Sequence, residues 1–183
     1  MKTRLAAAFA SLCLATAAQA ADPTATISTP GVSFAEYSSP TPTGQGQVDT
    51  NTLFFIDELT GVLGKAWYIY FDPQGLGNVI ATVTFDSAIT GVLFTKATLD
   101  GSNATYGASG ISYGTSNLVG LESNTDVFSF IGNVLKINWR ANDPGDHIRV
   151  FTLAAAVPEP ETYALYMAGL VAAGFIARRR ARR

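Results

Sequence analysis

The feature that most restricts the fold of this chain is a stretch of alternating apolar and polar residues interrupted once by Gly132-Asn133. Val127 to Ile131 precedes the interruption and Val134 to Arg140 follows it. A two-residue loop that begins with glycine is typical of a type II′ β-hairpin. Because strand side chains alternate between two faces, the second strand has an inward and an outward set. Leu135, Ile137 and Trp139 are predicted to face inward, and Lys136, Asn138 and Arg140 outward.

Further short segments show the same period of two, separated by turn residues. They are Leu53 to Ile56, Lys65 to Phe71, Val79 to Phe85, Gly91 to Leu99 and Ile148 to Thr152. No convincing helix is predicted between the two ends of the chain. The pattern therefore predicts an all-β domain, an antiparallel β-sandwich or a jelly-roll-like fold, over residues 48–156. Residues 21–47, rich in Thr, Pro and Gly, are predicted as a loose lead-in in which Ile27, Val32 and Phe34 could add edge strands.

The N-terminal residues have the three parts of a secretory signal peptide. Lys2 and Arg4 form a cationic head, Leu5 to Ala17 is apolar, and Ala18-Gln19-Ala20 has the small residues that signal peptidase requires. Residues 1–20 are therefore predicted to form a signal helix that is removed after Ala20. Cys13, the sole cysteine, lies within this segment, so the mature domain has neither a disulfide nor a thiolate metal ligand.

The C-terminal residues combine a proline motif, an apolar segment and an arginine cluster. Pro158 and Pro160 exclude a helix and hold Glu159 extended, so a helix can begin only afterwards, over about Thr162 to Ala177. At ~1.5 Å per residue this segment spans roughly 24 Å, and arginines that snorkel could help it to cross a ~30 Å hydrocarbon core. We therefore predict a single transmembrane helix, held by an arginine stop that remains cytoplasmic. The stop consists of Arg178, Arg179, Arg180, Arg182 and Arg183.

Residues 157–183 together resemble the PEP-CTERM sorting signal of Gram-negative bacteria. The resemblance is carried by Val157-Pro158-Glu159-Pro160, the uncharged segment and the arginine cluster, in this order and spacing. It implies recognition by an exosortase, a multi-pass membrane transpeptidase-like enzyme, acting on an inner-membrane precursor that ends at the cell surface or outside the cell. It also implies an exopolysaccharide, biofilm or floc matrix as the setting. The segment from Trp67 to Thr152 also resembles the β-domains common ahead of such tails, which implies no known activity.

The charge distribution makes nucleic acid an improbable partner. Of 12 Lys and Arg residues, seven lie in the two end segments, and of 14 carboxylates, Glu159 and Glu161 lie there, which leaves five cations against 12 carboxylates. An acidic domain repels a phosphate backbone.

Few residues indicate catalysis. His147 lies beside Asp146, but the chain has no Gly-x-Ser-x-Gly elbow, and a lone histidine at the start of a strand is more often a surface residue. Two carboxylates could hydrolyse glycosides, although an acidic β-protein offers many such pairs by chance. The candidates are Asp57, Glu58, Asp72, Asp86 and Glu122. No catalytic residue is predicted, and the protein is not expected to be an enzyme.

Two ligand-binding hypotheses remain open. Asp143 and Asp146, with Asn142 and backbone carbonyls, could hold calcium, although Asn-Asp-Pro-Gly-Asp is also ordinary turn chemistry, which we favour. No other cofactor is expected. Tyr68 and Tyr70, with Tyr106 and Tyr113, could stack on sugar rings if exposed, but packing in the core is the favoured interpretation.

The sequence thus predicts a non-enzymatic, structural or adhesive matrix protein associated with exopolysaccharide. The first alternative is a secreted carbohydrate-binding module, which would need an exposed row of aromatic rings. The second is a secreted hydrolase, which would need a cleft with two carboxylates at catalytic separation.

Overall fold

A computed structural model describes residues 20–43, 48–122, 124–154, 167–171, 173–174 and 178–180. Both sheets of the protein lie in one compact unit, Ala20–Ala155.

One sheet has four strands, all paired antiparallel. They are β1 (Thr24–Ile27), β5 (Val79–Thr84), β7 (Val127–Ile131) and β8 (Val134–Trp139), in the spatial order β1-β5-β8-β7. The predicted hairpin is confirmed, since Ile131 pairs with Val134 across the turn. Gly132 has a φ of +60°, the left-handed value that the first position of a type II′ turn requires and that glycine adopts without strain.

The second sheet has five strands. They are β2 (Ser33–Glu36), β3 (Thr52–Gly61), β4 (Gly64–Phe71), β6 (Ile89–Leu93) and β9 (Asp146–Thr152), in the order β2-β3-β4-β9-β6. All neighbours are antiparallel except β2 and β3, which pair in parallel. The prediction of purely antiparallel sheets is wrong for this pair. A parallel pair needs a long connection, and the sequence leaves 15 residues for it between Glu36 and Thr52.

The two sheets enclose the main hydrophobic core, which confirms an all-β sandwich. Trp67, Ile69 and Phe71 of β4 meet residues of the opposite sheet there. Leu135, Ile137 and Trp139 are buried in this core, and Lys136, Asn138 and Arg140 are exposed, as the alternation predicts. The segment predicted as a lead-in contributes to both sheets. β1 is an edge strand of the four-stranded sheet, and β2 is an edge strand of the five-stranded sheet.

A helix lies where the sequence predicted the end of a strand. α1 (Lys96–Tyr106) follows β6, so the strand predicted over Gly91 to Leu99 is wrong beyond Leu93. Thr95 begins the helix, because its side chain accepts a hydrogen bond from Thr98 N while Thr98 Oγ1 accepts one from Thr95 N. Leu99 and Tyr106 are buried. They lie seven residues apart, about two turns, and therefore share one face of the helix.

The C-terminal segment is described only in part. Residues 167–171, 173–174 and 178–180 are helical. Among the residues that the structure describes, no helix is long and apolar enough to cross a membrane. Most of the segment predicted to do so, and the predicted signal helix up to Gln19, lie outside the described residues.

Candidate functional site

A layer of buried polar side chains lies on the face of the five-stranded sheet that is turned away from the main core. In β9, Ile148 and Val150 point into the core, so His147, Arg149 and Phe151 point to the opposite face. That face is covered rather than solvated, because every residue of β9 is buried.

Arg149 is the centre of this layer and forms an ion pair with Glu58 of β3. Arg149 Nε donates to Glu58 Oε2 and Arg149 Nη2 donates to Glu58 Oε1, both at 2.6 Å. Arg149 Nη2 also donates to Asn103 Oδ1 at 2.9 Å, and Nη1 donates to Leu99 O at 3.0 Å and to Ser102 Oγ. All five N–H groups of the guanidinium therefore have partners, three of them in α1.

The charge of this pair is compensated inside the protein. Burial lowers the pKa of Arg149, but the hydrogen bonds and charge of Glu58 raise it by more, so the guanidinium stays charged. Burial raises the pKa of Glu58, against the opposing effects of Arg149 and of Tyr113, whose hydroxyl donates to Glu58 Oε1 at 2.6 Å. Because every strong donor is occupied within the fold, the arrangement fixes α1 to the sheet and leaves no group of Arg149 for a ligand.

The two tyrosines considered for sugar binding lie in the same layer. Tyr68 is 1% exposed and Tyr70 is fully buried. The guanidinium of Arg149 lies 5.2 Å from the ring centroid of Tyr68, and the ring of Tyr70 stacks on His147 at 5.4 Å. The hypothesis that Tyr68 and Tyr70 stack on a sugar is therefore wrong, since a ring must be accessible to do so. Tyr106 is also buried and Tyr113 is half-buried.

His147 is fully buried, so the expectation of a surface histidine is wrong. Its Nε2 lies 3.0 Å from Pro144 O, which makes Nε2 the protonated nitrogen of a neutral ring. Burial lowers the pKa of His147 to about 4, which keeps the ring neutral at physiological pH. The imidazole donates a hydrogen bond to a backbone carbonyl. A general base in a catalytic triad would instead accept a hydrogen bond from a serine hydroxyl.

Three of the carboxylates considered for glycoside hydrolysis have partners within the fold. Glu58 pairs with Arg149, Asp57 pairs with Lys65, and Asp86 accepts a hydrogen bond from Ala21 N. Asp72 is buried. A cleft of about 310 Å³ contains Glu36 and Asp57 in its lining, beside Tyr37 and Ser38.

An acidic cluster lies at the end of the sandwich where β9 begins. Glu122, Asp126 and Asp146 each offer a carboxylate oxygen, and these oxygens lie within 4.8 Å of one another. The calcium hypothesis paired Asp146 with Asp143, but Asp143 is exposed and lies outside this cluster. Burial raises the pKa of Asp146 to about 8, and the charges of Asp126 and Glu122 add to that shift.

The residues predicted for sorting lie at the ends of the chain. Ala18, Val157, Pro158, Glu159, Pro160, Arg182 and Arg183 are outside the described residues, whereas Arg178, Arg179 and Arg180 are helical and exposed. Ala20 is half-buried and packs against the main core.

A family model described as the PEP-CTERM protein-sorting motif matches residues 156–183. This chain carries a PEP-CTERM sorting motif. The motif identifies an exported protein whose membrane-anchored precursor is processed by an exosortase, a membrane protein, for surface or extracellular placement. Comparisons with curated proteins and with solved structures gave no match.

The sequence does not predict two arrangements of residues, although it offers Glu58 and Glu122 as candidate carboxylates for hydrolysis. Arg149 was assigned to a strand without a role, although a charged residue within Ile148 to Phe151 is a signal for a buried partner. Its partner Glu58 is 91 residues away, a separation that no local pattern reveals. Glu122 and Asp126 lie four residues apart in a turn-rich segment, where acidic residues are common.

Proposed function

We propose that this protein is a non-enzymatic structural or adhesive component of the cell surface or extracellular matrix, associated with exopolysaccharide in a Gram-negative bacterium. The PEP-CTERM motif at residues 156–183 carries the proposal, because it directs the β-sandwich to the cell exterior. The sandwich is then the part of the protein that remains to act there.

The buried polar layer on the outer face of the five-stranded sheet supports a non-enzymatic role. Histidine and glutamate are the side chains that most often perform acid–base chemistry. Here His147 and Glu58 are both buried and hydrogen-bonded within the fold. Edge strand β7 supports an adhesive role, because it exposes the apolar side chains of Val127 and Ile131 at 62% and 86%. An edge strand presents unpaired backbone groups that favour contact with another chain or matrix.

The proposed route has two processing steps. Signal peptidase removes residues 1–20, and the segment from Thr162 to Ala177 holds the precursor in the inner membrane. The arginines that follow stay on the cytoplasmic side, since moving each of them through the bilayer costs roughly 2.5–3.5 kcal/mol. Exosortase then cleaves near Pro158-Glu159-Pro160, which the two prolines keep outside any helix.

Mass spectrometry of the surface-exposed protein tests this route. The surface form should begin at Ala21 and lack peptides that contain Gly169 to Arg178. Replacing the five terminal arginines with glutamine should cause the full-length precursor to accumulate, whereas replacing them with lysine should preserve retention because charge sets the orientation. A surface fraction dominated by tail peptides would mean that the tail is a permanent anchor.

A carbohydrate-binding module is the second candidate, and the cleft beside Tyr37 is the feature that favours it. The cleft has a volume of about 310 Å³. Exposed Glu36 and Ser38 and half-buried Asp57 give it polar groups that suit sugar hydroxyls, whereas the ring of Tyr37 is buried. A glycan array probed with the surface form tests this candidate. Binding that Glu36→Ala abolishes would assign the sugar to the cleft, and an array without signal would leave the structural role.

A further inference from the structure

Three carboxylates converge where the segment before β7 meets the start of β9. Their oxygens lie within 4.8 Å of one another. Two calcium ligands on opposite sides of an ion, each 2.3–2.6 Å from it, are separated by about 4.6–5.2 Å. The spacing of Glu122, Asp126 and Asp146 therefore matches one shared ion.

Asp126 is held in a fixed orientation by the backbone around it. Its Oδ1 accepts from Arg140 N at 2.8 Å, and its Oδ2 accepts from Glu122 N and from Thr125 Oγ1, each at 3.0 Å. Asp126 N donates back to Glu122 O at 3.1 Å, which closes the segment between the two acids. Such contacts are the outer-shell hydrogen bonds that orient a ligating carboxylate.

Asp146 supplies an independent observation that a ligand is needed. It is 1% exposed, and its Oδ2 has no hydrogen-bond partner among the described residues. An unpaired buried carboxylate oxygen is costly, and the groups that converge with it are two further carboxylates. A cation placed between the three oxygens would compensate all of these charges together.

We propose that Glu122, Asp126 and Asp146 bind a divalent cation, and that the cation is calcium. Oxygen-only donors suit calcium and not zinc, which prefers nitrogen and sulfur. Carboxylates from two separate segments would also join the 122–126 turn to the start of β9. Water is expected to complete the six to eight ligands. The inference does not depend on the tail, because all three residues belong to the sandwich.

Calorimetric titration of the full chain in detergent micelles, after treatment with a chelator, tests the site. Calcium chloride should bind with a dissociation constant on the order of 10⁻⁴–10⁻³ M and raise the melting temperature, and magnesium should bind more weakly. Asp146→Asn and Glu122→Gln should each weaken calcium binding by at least about tenfold. Asp143→Asn is the matched control, since it removes a charge three residues from Asp146 and should leave affinity within about twofold.

Two results would overturn the proposal. One is calcium binding that survives both Asp146→Asn and Glu122→Gln, which would place the ion elsewhere. The other is a wild-type melting temperature that calcium does not change, together with a higher melting temperature for Asp146→Asn than for the wild type. That result would mean that a shared proton occupies the cluster. Glu122 is exposed, so Glu122→Gln remains informative if Asp146→Asn fails to fold.

Discussion

The two faces of the five-stranded sheet are buried to the same degree but by different means. On the inner face Trp67, Ile69 and Val150 are fully buried against apolar residues of the other sheet. On the outer face His147 and Arg149 are equally buried, beneath α1 and the segments around it. The inner face depends mainly on complementary volume, whereas the outer face also contains a buried ion pair whose polar atoms need partners.

This difference determines how each face responds to substitution. Loss of an inner side chain leaves a cavity, and the cost grows with the volume removed. Loss of one outer partner leaves a buried charge or donor without compensation, so a change of few atoms has a large effect.

Trp139→Ala should have the largest effect, and it tests the apolar core against which the inner face of the five-stranded sheet packs. Trp139 is fully buried in the main core, so its removal should reduce the free energy of unfolding by about 3–5 kcal/mol. Chemical denaturation measures the loss. Lys136→Ala on the same strand is the control and should change stability by less than about 0.5 kcal/mol. An unchanged midpoint for Trp139→Ala would mean that the two sheets do not enclose this side chain.

Glu58→Gln probes the outer face with almost no change in volume. It leaves the charge of Arg149 buried without its carboxylate, and should destabilise the domain by about 3–4 kcal/mol. Lys96→Met, which removes an exposed pair with Asp100 in α1, should cost less than about 0.5 kcal/mol.

The double variant Glu58→Leu with Arg149→Met sharpens the same comparison. It replaces the ion pair by apolar groups, so the loss should be smaller than the sum of the losses for the two single changes. Strict additivity of the two losses would argue that Glu58 and Arg149 do not interact.

The packing of the main core could be predicted from the sequence, whereas the covering of the outer face of the five-stranded sheet could not. Alternation in Val134 to Trp139 predicts which side chains face the core, because apolar residues report burial directly. In β4, Tyr68 and Tyr70 alternate with apolar residues in the same way, but an amphipathic ring is compatible with solvent or with a covering layer. The covering layer consists of Leu99 of α1 together with Tyr37 and Tyr113 from other segments. Gly101, Ser102 and Asn103 of α1 break any apolar helical pattern, so the sequence does not reveal this layer.

Asp72→Asn tests a buried carboxyl group directly after β4, which ends at Phe71. Burial raises the pKa of Asp72 to about 7, and the charges of Asp143 and Asp49 add to the shift. The folded state therefore keeps a proton that the unfolded state loses near pH 4, so stability falls as the pH rises from about 4 to 7.

Asparagine mimics the protonated carboxyl and should remove this dependence. Between pH 5 and pH 8 the wild type should lose roughly 2–3 kcal/mol more than Asp72→Asn. Denaturation at several pH values, in constant excess calcium, measures the difference. Glu36→Gln, at an exposed position of edge strand β2, should follow the wild type. Parallel curves for the wild type and Asp72→Asn would mean that Asp72 is ionised in both states.

The smallest effect is expected at an exposed contact that signal-peptide removal would change. Ala21 N donates to Asp86 Oδ2 at 3.0 Å on the protein surface. In the precursor this nitrogen is a peptide amide, and cleavage after Ala20 would convert it into an α-ammonium group beside the same carboxylate. The contact would become an ion pair, the exposed counterpart of Glu58 and Arg149.

Asp86→Asn should therefore destabilise the chain that begins at Ala21 by at most about 1 kcal/mol at low salt, and by less when salt screens the pair. The same substitution in a chain with an acetylated N-terminus should have a smaller effect, because acetylation removes the charge. The loss caused by Glu58→Gln should not change with salt, since buried pairs are screened much less. Thermal melts across a salt series measure these effects. If the effect of Asp86→Asn depends on neither salt nor acetylation, Ala21 contributes no charge to this contact.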